Sequence, residues 1–487
     1  MSNPSIKAKD SHIVSTANFA PIASIVVASA LLLLSNSVSF AQTQKASPAV
    51  ATAPNLPKPD DRYKADILLI VAHPDDDTGV LNYITRASLD EHKRVAVIFS
   101  TRGNSGGNAA GMEQSKAMSN EREMEARRSL ALSGIDDVWF LRGTDTATQD
   151  VLHSLETLGH GEALEEVVRL IRLIRPEVIL TWMPAYVAGE NHGDHQASAV
   201  VATEAFDMAG DPTAFAEQVN APRRYYDINN YGEGLHPWQV KKLYFFSDAS
   251  HQEFLARHGP TYLASDISTS KGVSYATLNH KAWELYATQI DPLLDYYANM
   301  PDHLVLAKSL VKITSPEADV WDGIDATPIA YVPPPGYHAD PRSPMSLELG
   351  GPWAFYKHFQ PAHAIASSLS FVKPQTAFSA YSQLWIPLLI HNDTDQPRDL
   401  LLKSSLPDGW TPIENTMYHV DPHSSYPAQL FLTRTTPLPA SAGITQTPTS
   451  VMPVTPTQDL HWTLLDQGKP TGEVSLTVYL EYNGVPQ

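Results

Sequence analysis

Two short clusters of histidine and aspartate have the residue types and the spacing that metal-assisted hydrolysis requires. The sequence reads HPDDD at residues 73–77 and HGDH at residues 192–195. A catalytic zinc ion takes three nitrogen or oxygen ligands and keeps one position open for water. We predict that His73, Asp76 and His195 are these three ligands. Two histidines and one carboxylate also suit iron, cobalt or manganese.

Two further residues of these clusters suit a general-base role and an oxyanion role. Water that attacks a carbonyl carbon must lose a proton to a nearby base. We therefore predict that Asp75 does not bind the metal and acts as this base. The oxyanion needs a cation or a hydrogen-bond donor, which a protonated His192 would supply. Each cluster alone also has a structural interpretation, since HPDDD is typical of a turn and HGDH of the start of a helix.

Alternating strand-like and helix-like segments predict the framework that must position both clusters. The predicted strands are the apolar runs at residues 65–73, 94–101, 137–142 and 177–183. Helical patterns at residues 119–134 and 161–176 precede the third and fourth runs. We therefore predict an α/β fold with a Rossmann-like parallel sheet and helices on both faces, with the two clusters at the carboxyl edge of that sheet. The first strand leads into HPDDD instead of a Gly-rich turn, so the sequence gives no support for NAD or FAD binding.

The two clusters resemble the motifs of the PIG-L or LmbE-like deacetylases. The family motif AHPDDE corresponds here to AHPDDD at residues 72–77, and HxDH corresponds to residues 192–195, within a resemblance that covers roughly residues 64–246. The resemblance implies a zinc-dependent hydrolase that removes acetyl groups from N-acetylglucosamine units. It also implies the same ligands, general base and oxyanion group as the residue types predict.

Other positions match the family pattern less closely. The resemblance implies that Arg122 and Asp145 contact the substrate, although Arg122 could also pair with a neighbouring helix residue. We expect Asp194 to support the ligands without binding the metal itself. Two positions depart from the pattern, because Asp77 replaces the usual Glu and Tyr286 stands where a late His is common.

The composition of the chain changes twice along its length and predicts its domain organisation. A Pro-rich stretch follows residue 331, and short alternating runs separated by turn residues begin near residue 367. These later runs predict a C-terminal antiparallel β-sandwich. The predicted parts are a signal peptide (1–41), a flexible lead-in (42–62), a deacetylase domain (63–335), a linker (336–366) and a β-sandwich domain (367–487).

The N-terminal segment has the pattern of a secretory signal. Lys7 and Lys9 precede an apolar run at residues 22–34, and a small-x-small motif ends at Ala41. The run is shorter than the roughly 20 residues that span a bilayer. We therefore expect cleavage near Ala41, a periplasmic or secreted protein and no stable membrane span after cleavage, with an uncleaved anchor as the alternative.

Composition excludes several classes of function and leaves three hypotheses. The chain has 487 residues and no cysteine, which excludes disulfides and thiolate ligands. Its net charge of -19 disfavours nucleic acid as a partner. The leading hypothesis is a Zn²⁺ deacetylase with an N-acetylated amino sugar as substrate. The alternatives are a zinc amidase acting on another acylated conjugate and a glycan-binding protein with a non-catalytic metal site. No oligomeric state is predicted.

Overall fold

The computed structural model describes most of the chain beyond residue 55. The described residues are 56–187, 192–221, 232–247, 252–289, 294–336, 338, 341–379, 383–435 and 456–481. The predicted signal peptide and most of the predicted lead-in lie outside them. Among the described residues, no helix is long and apolar enough to cross a membrane.

The described part of residues 67–309 contains eight strands, six of which form one sheet. The strands are β1 (Ile67–Val71), β2 (Val95–Phe99), β3 (Asp137–Phe140), β4 (Val178–Trp182), β5 (Lys242–Phe246), β6 (Thr261–Tyr262), β7 (Asp302–His303) and β8 (Val305–Ser309), and β6 and β7 pair with each other in a separate two-stranded sheet. The order in the sheet is β3-β2-β1-β4-β5-β8, and all neighbours are parallel except β8, which pairs antiparallel with β5. The predicted Rossmann-like sheet is therefore confirmed, with one antiparallel edge strand added.

Helices cover both faces of this sheet. They are α1 (Leu81–Leu89), α2 (Lys116–Leu132), α3 (Val151–Leu158), α4 (His160–Ile174), α5 (Gly193–Met208), α6 (Ala216–Val219), α7 (Tyr275–Trp283) and α8 (Leu294–Tyr297). Successive residues of β1 alternate between two hydrophobic cores, with Leu68 and Ile70 in one and Ile67 and Leu69 in the other. This alternation explains the unbroken apolar run of the strand, since a strand covered on both faces needs no polar side.

The strand order places the two clusters at one point. β1 pairs with β2 on one side and with β4 on the other. From β1 the chain adds β2 and β3 on one side of the sheet, and it then returns to add β4 and β5 on the other side. Such a switch point between β1 and β4 opens a crevice outside the carboxyl ends of the strands. Residues 73–77 follow β1, and residues 192–195 begin the helix that follows β4. Both clusters therefore meet at the crevice.

The C-terminal part of the chain consists of two sheets that share one core. Its elements are β9 (Met345–Leu349), α9 (Pro352–Ala362), β10 (Gln375–Ser379), β11 (Leu384–Asn392), β12 (Arg398–Ser405), β13 (Thr416–Val420), β14 (Ser424–Leu432), β15 (Thr457–Asp466) and β16 (Lys469–Glu481). One sheet has the order β10-β16-β15-β12-β13 and the other β14-β11-β9. Pairing is antiparallel except between β10 and β16. Both sheets contribute side chains to a single hydrophobic cluster that contains Ile390 and Trp462.

The stretch predicted as a linker, 336–366, contains regular structure. β9 pairs antiparallel with β11, which places Leu347 opposite Ile390. Helix α9 buries Tyr356 and Phe359 in the hydrophobic core of the first sheet. These elements depend on partners distant in the chain, so the local composition around the prolines did not indicate them. The described part of the chain belongs to one compact unit, Pro54–Gln487.

Candidate active site

The loop after β1 folds back on the carboxylate of Asp76. One oxygen, Oδ2, accepts hydrogen bonds from the backbone N–H groups of Ala72 (2.8 Å) and His73 (2.9 Å). The same oxygen accepts a hydrogen bond from Nε1 of Trp182 at the end of β4 (2.8 Å). These three donors fix the carboxylate and leave the other oxygen, Oδ1, for a different partner.

Asp76 Oδ1 faces two imidazole rings at distances that suit a metal ion. It lies 3.5 Å from Nδ1 of His73 and 3.2 Å from Nε2 of His195. In a tetrahedral zinc site with ligand bonds of about 2.0–2.1 Å, neighbouring ligand atoms are about 3.4 Å apart. The donor set and its spacing therefore fit a single divalent ion held by the three predicted ligands.

Two other groupings could also bring ligand atoms together. One joins His73 with His192 and His195, and the other joins His73 with Asp145 and Asp194, each with atoms within 4.8 Å. In the second grouping, however, both carboxylates face a single imidazole, that of His73. The set with Asp76 is favoured because its free oxygen lies between two ring nitrogens.

The electrostatics of this cluster favour a positive charge. Burial alone would lower the pKa of His73, but Asp76, Asp145 and Asp194 outweigh it and raise that pKa well above its usual value. Burial alone would raise the pKa of Asp76, but the facing His195 and His73 hold it well below the usual range. A buried pocket that stabilises a cationic imidazole also suits a metal cation.

Nε2 of His73 is held by two carboxylates behind it. Oδ1 of Asp145 lies 3.1 Å away and Oδ2 of Asp194 3.3 Å away. Asp194 in turn accepts hydrogen bonds from the backbone N–H and the hydroxyl of Thr146. Asp145 accepts a hydrogen bond from the backbone N–H of Ser105 (2.8 Å). Carboxylates in such positions fix the orientation of a metal-binding histidine.

These contacts bear on the role expected for Asp145. The resemblance implied that it contacts the substrate, but both of its oxygens have protein partners, His73 and Ser105. Although Asp145 also lines the cavity, its geometry favours the positioning of His73. Nothing in the local sequence showed that the segment after β3 would reach a residue of the loop after β1.

His192 caps helix α5 with its imidazole ring. Its Nδ1 accepts a hydrogen bond from the backbone N–H of Asp194 (3.4 Å), so the proton of the neutral ring belongs on Nε2. Burial, together with the neighbouring His195 and His73, lowers the pKa of His192 to about 2. This low pKa favours a neutral His192, whose ring offers one N–H donor, over the protonated ring considered from the sequence.

Asp75 lies beside the ligand Asp76 in an unusual backbone conformation. Its φ is 120°, a region that residues other than glycine rarely adopt and that stores about 1–3 kcal/mol of strain. The residue lines the cavity. Burial and the adjacent Asp76 raise the pKa of Asp75 well above its usual value, while Arg122 and His73 act in the opposite direction. A carboxylate with a raised pKa is better suited to take up a proton at neutral pH.

Arg122 is buried against the loop that follows β2. Its Nη2 donates to the backbone carbonyl of Gly107 (2.8 Å), and the residue lines the cavity. A Cβ atom at Gly103 or Gly106 would lie 2.5 Å or 2.8 Å from the guanidinium. A side chain at either glycine would therefore have to displace the guanidinium, which the sequence did not reveal. The neighbouring Glu125 instead accepts hydrogen bonds from the backbone and hydroxyl of Thr288.

The two departures from the family pattern contact each other. The hydroxyl of Tyr286 donates a hydrogen bond to Oδ1 of Asp77, and both residues are fully buried. Burial raises the pKa of Asp77 to about 7. A single sequence gives no signal for this pairing, because the two residues are far apart in the chain.

The cavity extends beyond the two clusters and has a volume of about 500 Å³. Part of its wall was not predicted from the sequence and comes from α1, α7, α8 and the segment that ends in β7. An aromatic-rich stretch at residues 223–238 lies mostly outside the described residues. Its last residue, Trp238, donates to the carbonyl of Pro176, at the opposite end of the sheet.

One known protein family matches part of the chain. Residues 68–206 match the family described as PIG-L: GlcNAc-PI de-N-acetylase. This range contains both clusters and therefore agrees with the resemblance seen in the motifs.

Several curated proteins and solved structures are similar to parts of the chain. The 1D-myo-inositol 2-acetamido-2-deoxy-alpha-D-glucopyranoside deacetylase 1 of Catenulispora acidiphila is 26% identical over 37% of this chain and 54% of its own length. The corresponding deacetylase of Streptomyces griseus is 29% identical over 30% of this chain and 50% of its own. The chain thus spans about half the length of these relatives. The N,N'-diacetylchitobiose deacetylase of Pyrococcus horikoshii is 16% identical, with a TM-score of 0.37, over 50% of this chain and 85% of that one.

Proposed function

We propose that the chain is a metal-dependent deacetylase, because residues 68–206 match the PIG-L family. Its proposed substrates are glycans or glycoconjugates that contain N-acetylglucosamine, the unit on which the similar curated proteins act according to their names. The observation that carries this proposal is the position of Asp76 Oδ1 between His73 and His195, with Asp75 adjacent.

Zn²⁺ is the metal that we propose for this site. His73, Asp76 and His195 would hold it, and three ligands leave a position open, as in catalytic zinc sites. When bound, the ion would act as a Lewis acid that polarises the amide carbonyl and makes water more acidic.

The surrounding residues supply the proton transfers that amide hydrolysis needs. Asp75 takes a proton from the attacking water as the new carbon–oxygen bond forms. The N–H of neutral His192 donates a hydrogen bond to the oxyanion. Asp75 then returns the proton to the nitrogen as the carbon–nitrogen bond breaks, which gives acetate and a free amino sugar. Arg122, which lines the same cavity, is available to hold polar groups of the sugar.

An Asp75→Asn variant tests this reaction scheme. We expect it to bind the metal as the wild type does and to lose about 10²–10⁴-fold in turnover, because the base is lost and the ligands remain. The assay measures acetate release from oligomers of N-acetylglucosamine, with a chelator and zinc add-back. Asp136→Asn, at an exposed carboxylate, is the matched control. Unchanged turnover in Asp75→Asn would contradict the assigned base, and no acetate release by the zinc-loaded wild type would contradict the deacetylase itself.

We also propose that the protein is exported. The support is the apolar run at residues 22–34 and the small-x-small motif that ends at Ala41. Mass spectrometry of the protein recovered from outside the cytoplasm should find a chain that begins at Gln42. A full-length chain in the membrane fraction would instead indicate the uncleaved anchor.

A further inference from the structure

One buried tryptophan contacts two of the three predicted metal ligands, Asp76 and His195. Trp182 is the last residue of β4, and only 1% of it is exposed. It is not among the described residues that line the cavity, so it offers no surface to a substrate there. Any part that Trp182 has in the reaction must therefore act through the residues that it contacts.

The first contact commits one oxygen of Asp76 to the protein. Nε1 of Trp182 donates to Oδ2 of Asp76, which also accepts hydrogen bonds from two backbone N–H groups. A carboxylate oxygen has about two lone-pair sites, so three donors occupy Oδ2 and leave Oδ1 for a metal ion. Two of these donors belong to residues 72 and 73 of the same loop, whereas Trp182 comes from a different strand.

The second contact fixes the ring plane of His195. The indole of Trp182 and the imidazole of His195 are stacked, with centroids 4.1 Å apart and an interplanar angle of 3°. A histidine nitrogen binds a metal through a lone pair that lies in the plane of the ring, so the stack sets the direction in which Nε2 points. This nitrogen lies 3.2 Å from Oδ1 of Asp76, the oxygen that the first contact leaves available.

Close packing holds the indole in this position. The ring of Phe246, at the end of β5, lies 4.4 Å from the ring of Trp182 between centroids, at an interplanar angle of 41°. A Cβ atom at Gly79 would lie 3.2 Å from Cη2 of Trp182 and 2.9 Å from Cε2 of Phe246. The two rings therefore fill the space beside this glycine, and the indole cannot tilt freely.

We propose that Trp182 is a positioning residue that holds Asp76 and His195 in register with each other and thereby sets the metal affinity of the site. The two ligands come from different loops, after β1 and after β4, and one rigid indole joins them. This inference rests on the metal site of the proposed function. It adds a residue outside both clusters, at which the motifs gave no signal.

A positioning role of this kind predicts the same effect on every substrate. The part of the cavity wall away from the two clusters, which we call the distal lobe, is formed by Asn82, Asn279, Trp283, Tyr297 and Asp302. A substitution in the distal lobe would change contacts with one substrate more than with another. A substitution of Trp182 would act on the metal ligands and hence on all substrates alike.

The first test removes the indole N–H and keeps an aromatic ring. Trp182→Phe should lower the affinity for Zn²⁺, measured by competition with a chelator, about 10–100-fold. Trp462→Phe is the matched control, because Trp462 is fully buried in the core of the C-terminal sheets and its N–H has no acceptor among the described residues. Both variants should lose stability, but the control should keep the zinc affinity of the wild type.

A second variant separates the hydrogen bond from the size of the ring. In Trp182→His, Nε2 of the imidazole takes the ring position of the indole Nε1 and can donate to the same carboxylate. We expect its zinc affinity to lie between those of the wild type and Trp182→Phe. A loss as large as in Trp182→Phe would come from the lost ring volume and would overturn the positioning role of the hydrogen bond.

Kinetics at saturating Zn²⁺ test the uniformity of the effect. The two substrates are the β-linked disaccharide of N-acetylglucosamine and the methyl glycoside of N-acetylglucosamine. In Trp182→Phe, kcat should fall by the same factor for both, since Trp182 does not line the cavity. A fall confined to one substrate would place the effect on substrate binding and overturn the inference.

The remaining outcomes separate this inference from the proposed function. A zinc affinity of Trp182→Phe within about twofold of the wild type would overturn the positioning role and leave the deacetylase intact. If the wild type binds zinc but releases acetate from neither substrate, the proposed function fails, and the chelator competition still decides the role of Trp182. If Trp182→Phe does not fold, Trp182→Tyr, which also lacks the indole N–H, replaces it under the same criteria.

Discussion

The two walls of the cavity are built on different physical principles. At the metal loop, residues 72–77, the carboxylate of Asp76 is fixed by backbone N–H groups and by Trp182. In the distal lobe, amides hold one another, and two half-buried rings form the edge. The first wall therefore depends on the ends of β1 and β4, whereas the second depends on helices that come much later in the chain.

This difference indicates that substitutions in one wall would affect catalysis, whereas substitutions in the other would affect substrate selectivity. A change in the metal loop would alter the positions of several predicted ligands at once, since one carboxylate oxygen of Asp76 joins the loop to β4. A change at the exposed edge of the distal lobe alters one contact with a substrate. We therefore expect large, uniform losses from the first wall and smaller, substrate-dependent losses from the second.

The largest effect is expected for Asp76→Ala. This change removes a predicted ligand and leaves three buried donors, from Ala72, His73 and Trp182, without their acceptor. Turnover should fall at least about 10³-fold for every substrate, and zinc should no longer bind at one ion per chain. The metal-free variant should also be less stable than the metal-free wild type, because each unpaired donor costs about 1–3 kcal/mol.

Metal analysis and urea unfolding of the purified variant check this prediction. Asp136→Ala, which removes an exposed carboxylate of the same type, should keep the metal, the turnover and the stability of the wild type. Full metal content in Asp76→Ala would show that another grouping, such as the one with His192, binds the ion.

A smaller effect is expected for Gly106→Ala, and an adjacent glycine provides its control. A Cβ at Gly106 would lie 2.8 Å from Nη2 of Arg122, whereas a Cβ at Gly107 would have no atom within 4 Å. Displacement of a guanidinium that holds a polar group costs about 1.5–3 kcal/mol, so KM should rise about tenfold or more in Gly106→Ala. Gly107→Ala should remain within about twofold of the wild type.

Steady-state kinetics of both alanine variants measure this difference. Equal KM values would mean that Arg122 does not contact the substrate, and the role implied by the resemblance would be lost. A fall in kcat at unchanged KM would instead indicate that Arg122 acts on Asp75, whose pKa it lowers.

The sequence predicted the first wall much better than the second. The apolar runs at residues 65–73 and 177–183 predicted β1 and β4. A strand that is buried on both faces is apolar along its whole length, and a single sequence shows this pattern. The position of both clusters at one edge followed from the parallel order. The roles of the individual residues in these clusters remain predictions.

The missed features all depend on contacts between distant segments. Tyr286 lies against Asp77, and Asp145 lies against His73, although neither pair is close in the chain. The sequence predicted a linker where helix α9 lies, because this helix is stabilised by packing against the distant core of the first sheet. Neither periodicity nor motif spacing carries this information, since both describe only local sequence.

A third prediction concerns the contact between the C-terminal part and the first wall. The hydroxyl of Tyr356 in α9 donates to Oε1 of Gln196, which directly follows the predicted ligand His195. Tyr356→Phe should lower the free energy of unfolding by about 1 kcal/mol, because a buried hydrogen bond is lost. Turnover should fall only a few-fold, and by the same factor for both test substrates.

Urea unfolding and the two-substrate assay measure these effects. Tyr426→Phe, at an exposed tyrosine of the C-terminal sheets, is the control and should behave as the wild type. A loss confined to the disaccharide would place the influence of α9 on the distal lobe instead of on α5.

The smallest effect is expected at Asp90, which anchors the segment that leads into α7 and hence into the distal lobe. Its carboxylate accepts hydrogen bonds from Ser268 (3.1 Å), Thr269 (3.0 Å), the backbone N–H of Ser270 (2.8 Å) and the hydroxyl of Tyr275. Although burial alone would raise it, these donors hold the pKa of Asp90 well below its usual value.

The sign of the resulting pH dependence follows from linkage. A carboxyl group whose pKa is lower in the folded state stabilises the fold above its unfolded pKa of about 3.9, and this contribution is lost as the pH falls further. Asp90→Asn should therefore be less stable than the wild type at pH 7, and the difference should shrink at pH 3. Urea unfolding at both values measures it, and the other carboxyl groups cancel because both proteins share them. A difference that stays constant with pH would mean that the charge of Asp90 does not hold this segment. If the segment does position α7, the same variant should lower turnover of the disaccharide more than that of the methyl glycoside, since among the described residues the hydrogen bonds of Asp90 go to this segment and not to the metal loop.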